Sequence, residues 1–299
     1  MAMTRTNFGE LLKPGQRKIF FDSYNNFEPQ YTNVFKLENS NKKEETVLRL
    51  GGFGLWEANT EGAEISQDEI SEGQKVTFTN KRFDKGYEIT WEMVQDDQYG
   101  IWKGNVGNGG NAKTLGRSLR ATVETEAAKV LDTGFAANGF DGVPLFSTTH
   151  PLIDSTAKAS NRLGGELNFA NLKTACTMLR KQKDESGAAP IAAVPSKLIV
   201  HPDMEYTARS LLHSAIVPNV DNEVYALPNL SIVVLDYLTN DAAWYVQAKD
   251  IDNLIFFWRE QPVFGAQPIA KKMDWFYYGY ARWSCGYTDW RGIVGSTGA

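Results

Sequence analysis

Cysteine is almost missing from this chain. Cys176 and Cys285 are the only two thiols in 299 residues, too few for a disulfide framework, so a reducing compartment is the expected setting. No apolar run approaches a membrane span; Leu230 to Leu235 and Leu254 to Trp258 are strand-sized. The opening Met1-Ala2-Met3-Thr4-Arg5-Thr6-Asn7 lacks the apolar core of a signal peptide. These gaps lead us to expect a soluble protein, made in the cytosol, with no membrane partner. Positive charge is scarce as well. With 31 Lys and Arg against 36 Asp and Glu, the net charge is -5, which argues against a general nucleic-acid binder. The sparse group Arg5, Lys13, Arg17 and Lys18 does not reverse that.

Recognisable chemistry is also thin. The three histidines are His150, His201 and His213, and none sits in a metal-ligand spacing such as His-Glu-x-x-His. There is no Gly-x-Ser-x-Gly elbow. Gly104, Gly107, Gly109 and Gly110 form no phosphate-binding fingerprint and read as a flexible link. Asp96 and Asp97 would point to opposite faces of a strand and fit a turn or helix start better than an acid/base pair. Cys176 falls among apolar neighbours on a helix face, as an inert core thiol does. No catalytic residue, cofactor or metal ligand is therefore assigned.

Aromatic side chains, in contrast, are plentiful: 8 Trp, 12 Tyr and 16 Phe. Such rings suit both cores and protein interfaces. The first segment carries Phe8, Leu11, Leu12, Phe20, Phe21, Phe27 and Tyr31, and Pro14 is expected to open a short helix there. An acidic polar run from Glu57 to Glu72 follows Leu55 and Trp56. After it, Val76 and Phe78 alternate with polar residues, and Tyr87, Ile89, Trp91 and Met93 share one face of a second strand. Asp84-Lys85-Gly86 reads as the turn of a hairpin joining them. A two-stranded hairpin is marginal alone, so its apolar face needs a lid from its own domain or a neighbouring subunit.

Leu115, Leu119, Val123, Ala127 and Leu131 recur every fourth residue and predict a long helix with one apolar stripe. Arg117, Arg120, Glu124, Glu126 and Lys129 are expected mostly on its other sides. A second helix is expected from Asn168, as N-cap, to Ser186, with Gly187 ending it, and a third from Asp203 to His213. Strands are expected at Leu198–Val200, Ile232–Leu235, Trp244–Gln247, Leu254–Trp258 and Trp275–Trp283. The aromatic density around Trp275, Phe276, Tyr277, Tyr278, Trp283, Tyr287 and Trp290 fits a core or subunit contact, or else a sugar platform.

Four short motifs, in order along the chain, resemble the Mu-like phage major head subunit family (the gpT type). They are Lys81-Arg82-Phe83 through Asp96-Asp97-Gln98-Tyr99-Gly100; the long helix ending near Thr133; Asp141-Gly142-Val143-Pro144-Leu145-Phe146 with His150-Pro151; and Tyr280-Ala281-Arg282 through Gly286-Tyr287-Thr288-Asp289-Trp290-Arg291-Gly292. The resemblance implies an α+β, Hong Kong 97-type capsid fold. It would divide the chain into an N-terminal arm (1–45), an extended loop with its β-ribbon (46–95), a peripheral domain with a spine helix (96–140), an axial domain (141–264) and a return to the peripheral domain (265–299). It implies a subunit that assembles with itself into pentamers and hexamers of an icosahedral shell around double-stranded DNA, without sequence-specific DNA binding. A separate scaffold protein, a portal and a maturation protease are the implied partners. Phe20, Phe21, Trp56, Val76, Phe78, Tyr87, Ile89, Trp91 and Met93 are the expected intersubunit contacts. Some relatives weld subunits through lysine; Lys75, Lys81 and Lys85 lie near the loop, but nothing local marks one as reactive. Two other readings remain: a hydrolase converging on His150 or His201, and a carbohydrate-binding virion protein.

Overall fold

The computed structural model describes residues 8–50, 55–56, 58–62, 64–65, 67, 72–90, 92, 96, 110–152, 155–185, 187, 189–213, 229–269 and 274–299. The Gly104–Gly109 link, Asp97 to Gly100, and both Trp91 and Met93 lie outside these residues.

Helix α1 spans Phe8–Asn25. The expected opening at Pro14 is thus corrected: the helix already runs before the proline, and the lost backbone bond is outweighed where the later turns dock Phe20 into the body. Strands β1 (Lys36–Asn39), β2 (Glu44–Leu50), β3 (Glu72–Thr79) and β4 (Lys81–Ile89) follow. Helix α2 covers Gly110–Asp132. Three short strands come next, β5 (His150–Leu152), β6 (Ser155–Ala159) and β7 (Arg162–Leu163), then helix α3 (Phe169–Arg180). The chain continues through β8 (Pro195–Val200), α4 (Glu205–His213), β9 (Ser231–Val234) and β10 (Trp244–Ala248). It ends with β11 (Leu254–Ile269), β12 (Asp274–Tyr287) and β13 (Ile293–Ser296).

Two sheets carry the body. One has strand order β1-β11-β12-β4 and the other β7-β13-β10-β8-β9. In the first, β11 and β12 form a long antiparallel hairpin, and β1 adds in parallel to β11. Along β12 the period-two alternation puts Tyr277, Ala281 and Trp283 into the core under the helices, with Phe276, Tyr278 and Tyr280 on the other face. The aromatic cluster of this strand is therefore split between two faces, because neighbouring residues of a strand point opposite ways. In the second sheet, Leu172, Ala175, Cys176 and Leu179 of α3 pack on Leu198, Val200, Trp244, Val246 and Val294.

The expected hairpin between β3 and β4 does not form. The chain passes from one sheet to another at Asn80; β3 pairs antiparallel with β2, setting Val76 opposite Val47, while β4 pairs with β12, setting Tyr87 opposite Tyr277. Asn80 fixes this crossing point: its amide donates to Ser40 Oγ at 2.8 Å and Lys42 O at 3.0 Å, and its Oδ1 accepts from Ser284 Oγ at 2.9 Å. Gly86 lies inside a strand rather than at a turn. A Cβ there would meet the Phe276 ring at 2.5 Å and Tyr277 O at 2.8 Å, so the glycine answers a close approach across the sheet.

The apolar stripe of α2 is as expected. Leu115, Val123, Ala127 and Leu131 are buried and Leu119 packs beside them. Arg120 and Glu124 correct the reading of its other sides, for both are buried. Arg120 Nε donates to Tyr24 O at 3.1 Å, and its guanidinium lies 3.9 Å from the Tyr24 ring centre. Glu124 accepts from Gln30 N at 3.1 Å and Tyr31 N at 3.0 Å. Burial pushes its carboxyl above the usual range, against the pull of those two backbone donors and of Arg120. These two charges clamp the segment that leaves α1.

Helix α3 begins as predicted, with Asn168 Oδ1 accepting from Asn171 N at 2.8 Å. It stops at Arg180 rather than Ser186. The chain leaves the helix because Gln182 Oε1 accepts from Gly292 N at 2.8 Å and the carbonyls of Lys183 and Asp184 accept from Arg291 at 2.7 and 3.2 Å. Gly187, at φ +72°, belongs to the turn beyond.

Candidate assembly surfaces and the node that anchors them

The motif residues that resemble one another's relatives only as short words converge in space. His150 is fully buried, with its ring stacked on Trp290 at 4.4 Å between centres and 8° between planes. Asn161 Nδ2 reaches Leu145 O at 2.8 Å, Trp290 O at 3.1 Å and Ile293 O at 3.3 Å, which fixes the amide orientation. Its Oδ1 must then be an acceptor, so His150 Nε2–H donates to it at 3.0 Å, beside Ser147 N at the same distance. The other ring nitrogen faces Asp141 Oδ2 at 2.6 Å. Both nitrogens are occupied and the ring has no exposed edge, so His150 has no atom to offer a substrate. Its work is to tie the Asp141–His150 segment to the C-terminal turn.

A charged cluster lies next to it. Arg291 Nη1 donates to Glu185 Oε1 at 2.8 Å and to Asp289 Oδ1 at 3.2 Å, and its guanidinium lies 4.4 Å from the Trp290 ring centre. Arg49, near the end of β2, enters from the ribbon. It pairs with Glu185, bonds Asp289 Oδ2 at 3.0 Å and rests 5.0 Å from the Phe140 ring centre. Burial lowers the Arg49 pKa from its ordinary value, with Asp289 pulling the other way and Arg291 adding to the fall; a guanidinium remains charged through such a shift. Two cations and two carboxylates thus share one site, and together they set where the ribbon leaves the body. Near its origin the ribbon is also packed by Phe78, whose ring is 5.2 Å from Phe257 and lies over Gly286.

Seven of the nine expected contact residues are described, and they fall into three groups. Phe20 (0% exposed), Phe78 (6%) and Ile89 (1%) are covered by their own chain, which removes them from the surface a neighbour could touch. Phe20 packs 5.1 Å from Phe264, and Ile89 joins the same cluster. Phe21, Val76 and Tyr87 are half-covered, Tyr87 being stacked on Tyr277 at 5.3 Å. Trp56 is bare, 97% exposed, and so are Leu55 at 68% and Ile65 at 88%. Trp91 and Met93 fall outside the described residues.

Other candidates from the sequence have structural roles. His201 Nδ1 accepts from Asp203 N at 3.2 Å and so caps the turn that leads into α4. Burial pushes the Cys176 thiol up to about 11 and the Cys285 thiol up to about 12, which suppresses the thiolate. Among the described residues no group of three or more His, Cys, Asp or Glu side chains is arranged to hold a metal. Sequence reasoning missed Arg49, Glu185, Arg120 and Glu124. Arg49 has no local signal, since its partner Asp289 is 240 positions away.

This architecture is that of subunits from phage shells. The capsid of bacteriophage JBD30 decorated with minor capsid protein trimers matches at a TM-score of 0.57 and 14% identity, over 71% of this chain and 92% of that one. The mature capsid of bacteriophage PhiM1 matches at 0.56 and 11%, over 88% and 84%. The JBD30 procapsid matches at 0.52 and 17%, over 98% and 76%. The fold is therefore the Hong Kong 97-type capsid fold. No curated protein matches the sequence. The phage capsid protein family model does match, across residues 73–296, and the chain belongs to that family. Its role is that of a structural major capsid subunit, in the capsid of a virion, that assembles with copies of itself; neither alternative reading gains support.

Proposed function

We propose that this chain forms the pentamers and hexamers of an icosahedral head that holds the double-stranded DNA of a tailed phage or prophage on the Mu-like branch. The head is assembled in the host cytoplasm with a separate scaffold protein, a portal and a maturation protease. On this reading 1–45 is the arm, 46–95 the extended loop and its ribbon, 96–140 and 265–299 the peripheral domain and 141–264 the axial domain. The observation that carries it is the contrast at the ribbon: Phe78 packs one end of the β2–β3 pair and Arg49 ties the other end to the body, while Leu55, Trp56 and Ile65 beyond it have almost no cover from their own chain. Apolar groups presented on an anchored support are stabilised only when a neighbouring copy removes them from water. Closed symmetry then repeats one modest contact around the shell. A net charge of -5 also suits a container whose DNA must not adhere to the wall. Purified protein, alone and with a co-expressed scaffold, is to be sedimented and viewed by negative stain. Rings or closed particles are expected; a stable monomer under every condition would overturn the proposal.

A further inference from the structure

One surface feature borders the core and the anchoring node without being filled by either. A cleft of about 670 Å³ opens between α3 and the β5–β6 hairpin. Leu152, Ala159, Met178 and Trp290 supply apolar walls, and Lys158, Lys173, Lys181 and Lys183 surround them. All four lysines are exposed, and among the described residues no carboxylate lines the cleft or pairs with any of the four. Lys181 and Lys183 follow the C-terminal end of α3, where the helix dipole favours cations. That does not account for Lys158 on the hairpin or Lys173 in the helix, which crowd like charge around an apolar floor.

The complement is in the same chain. Residues 51–72 carry Glu57, Glu61, Glu64, Asp68, Glu69 and Glu72 with no Lys or Arg, and they carry the bare Leu55, Trp56 and Ile65. We propose that the lysine-walled cleft of one subunit receives this acidic, aromatic segment from a second copy of the chain, with Leu55 and Trp56 against the apolar walls and Glu61 and Glu64 against the lysines. The inference rests on the shell-subunit reading and names the partner surface for the ribbon's far end. The cleft has the size and apolar character of a pocket that buries a group as large as an indole. About ten extended residues beyond Leu50 would reach at most roughly 35 Å from the body. The partner is a different subunit, since Trp56 is 97% exposed in its own chain. Opposite charge selects the register, and apolar burial supplies the driving force.

The test is a mixed assembly of two single variants, Glu61→Cys and Lys173→Cys, both exposed positions whose replacement leaves the core untouched. Oxidised particles made from the mixture are expected to give a disulfide-linked dimer on a denaturing gel. Each variant assembled alone, or Glu61→Cys mixed with Arg209→Cys on α4, is expected to give at least tenfold less. In parallel, Lys173→Glu with Lys181→Glu is expected to lower particle yield at least tenfold, and Glu61→Lys with Glu64→Lys in the same chain to restore it. Normal particles without the cross-link, or without the charge-swap effect, overturn the pairing and leave the shell reading intact. Wild-type protein that never assembles overturns the shell reading itself.

Discussion

The arm and the ribbon look alike as sequence, two stretches with more apolar groups than a short segment can cover, yet they end differently. α1 folds back on its own subunit. Phe20 sinks between Leu115 and Phe264, and Gly116 admits the helix so closely that a Cβ there would meet Phe20 O at 2.5 Å. Arg120 and Glu124 then bind the chain as it leaves. Beyond Arg49, which holds the ribbon to the body, the described apolar residues have no such cradle: Leu55, Trp56 and Ile65 stay in water. A greasy segment is an interface only where the body has made no place for it. That depends on small residues and buried charges in some other part of the chain.

The largest way to break the contrast is Phe20→Ala. Emptying a fully buried ring site should cost about 4 kcal/mol, read by urea unfolding of the isolated subunit; a cost below about 1 kcal/mol would mean that the arm is not part of the body. Next is Arg291→Ala, which leaves Arg49 as the one cation shared by Glu185 and Asp289 at this site, removes the donors to Lys183 O and Asp184 O, and should cost about 3 kcal/mol. The same variant should raise protease sensitivity between β2 and β3, and an unchanged digestion pattern would show that the ribbon is held without the node. Gly116→Ala should cost about 2 kcal/mol by overpacking against α1, with the loss concentrated in amide-exchange protection of α1.

The thiols sharpen the comparison from the body's side. Their folded pKa values lie above the ordinary thiol value of 9.0, at about 11 for Cys176 and about 12 for Cys285. A raised folded value contributes stability that is whole below about pH 9 and lost as pH climbs toward 11 and 12. Alkaline titration of the unfolding midpoint should therefore be shallower in Cys176→Ala and Cys285→Ala, and neither native thiol should label at pH 8. Smallest in the isolated subunit is Trp56→Ala, expected to shift its stability by less than about 0.5 kcal/mol while reducing particle yield more than tenfold. Equal damage to both would place Trp56 within the body.

Much of the fold was legible. The fourfold recurrence from Leu115 to Leu131 marks α2, Asn168 marks the start of α3, and the apolar runs at Leu198, Trp244 and Leu254 are strands. The errors share a cause. Gly86 resembles a turn glycine because local sequence cannot reveal that the Phe276 ring crosses over it. Gly187 resembles a helix stop because the real one is set by Arg291, more than a hundred residues on. Arg120 and Glu124 resemble surface charges because their partners are backbone groups of the arm. Of the expected contacts among the described residues, Trp56 is the one left bare, and its flanking acids were visible, but the lysine cleft that complements them is assembled from a hairpin and a helix apart in the chain.

By itself the sequence determined the long helix α2, the start of α3 and the strands at Leu198, Trp244 and Leu254, that no familiar catalytic motif is present, and, through its ordered motifs, the capsid family. Periodicity and turn chemistry are local and survive in a string of letters. Only the tertiary structure decided that the arm is docked, that the ribbon pairs β3 with β2, and that Arg49, Glu185, Asp289 and Arg291 form one site. Burial and charge pairing are properties of distance in space, and residues 240 positions apart become neighbours only once the sheets are built.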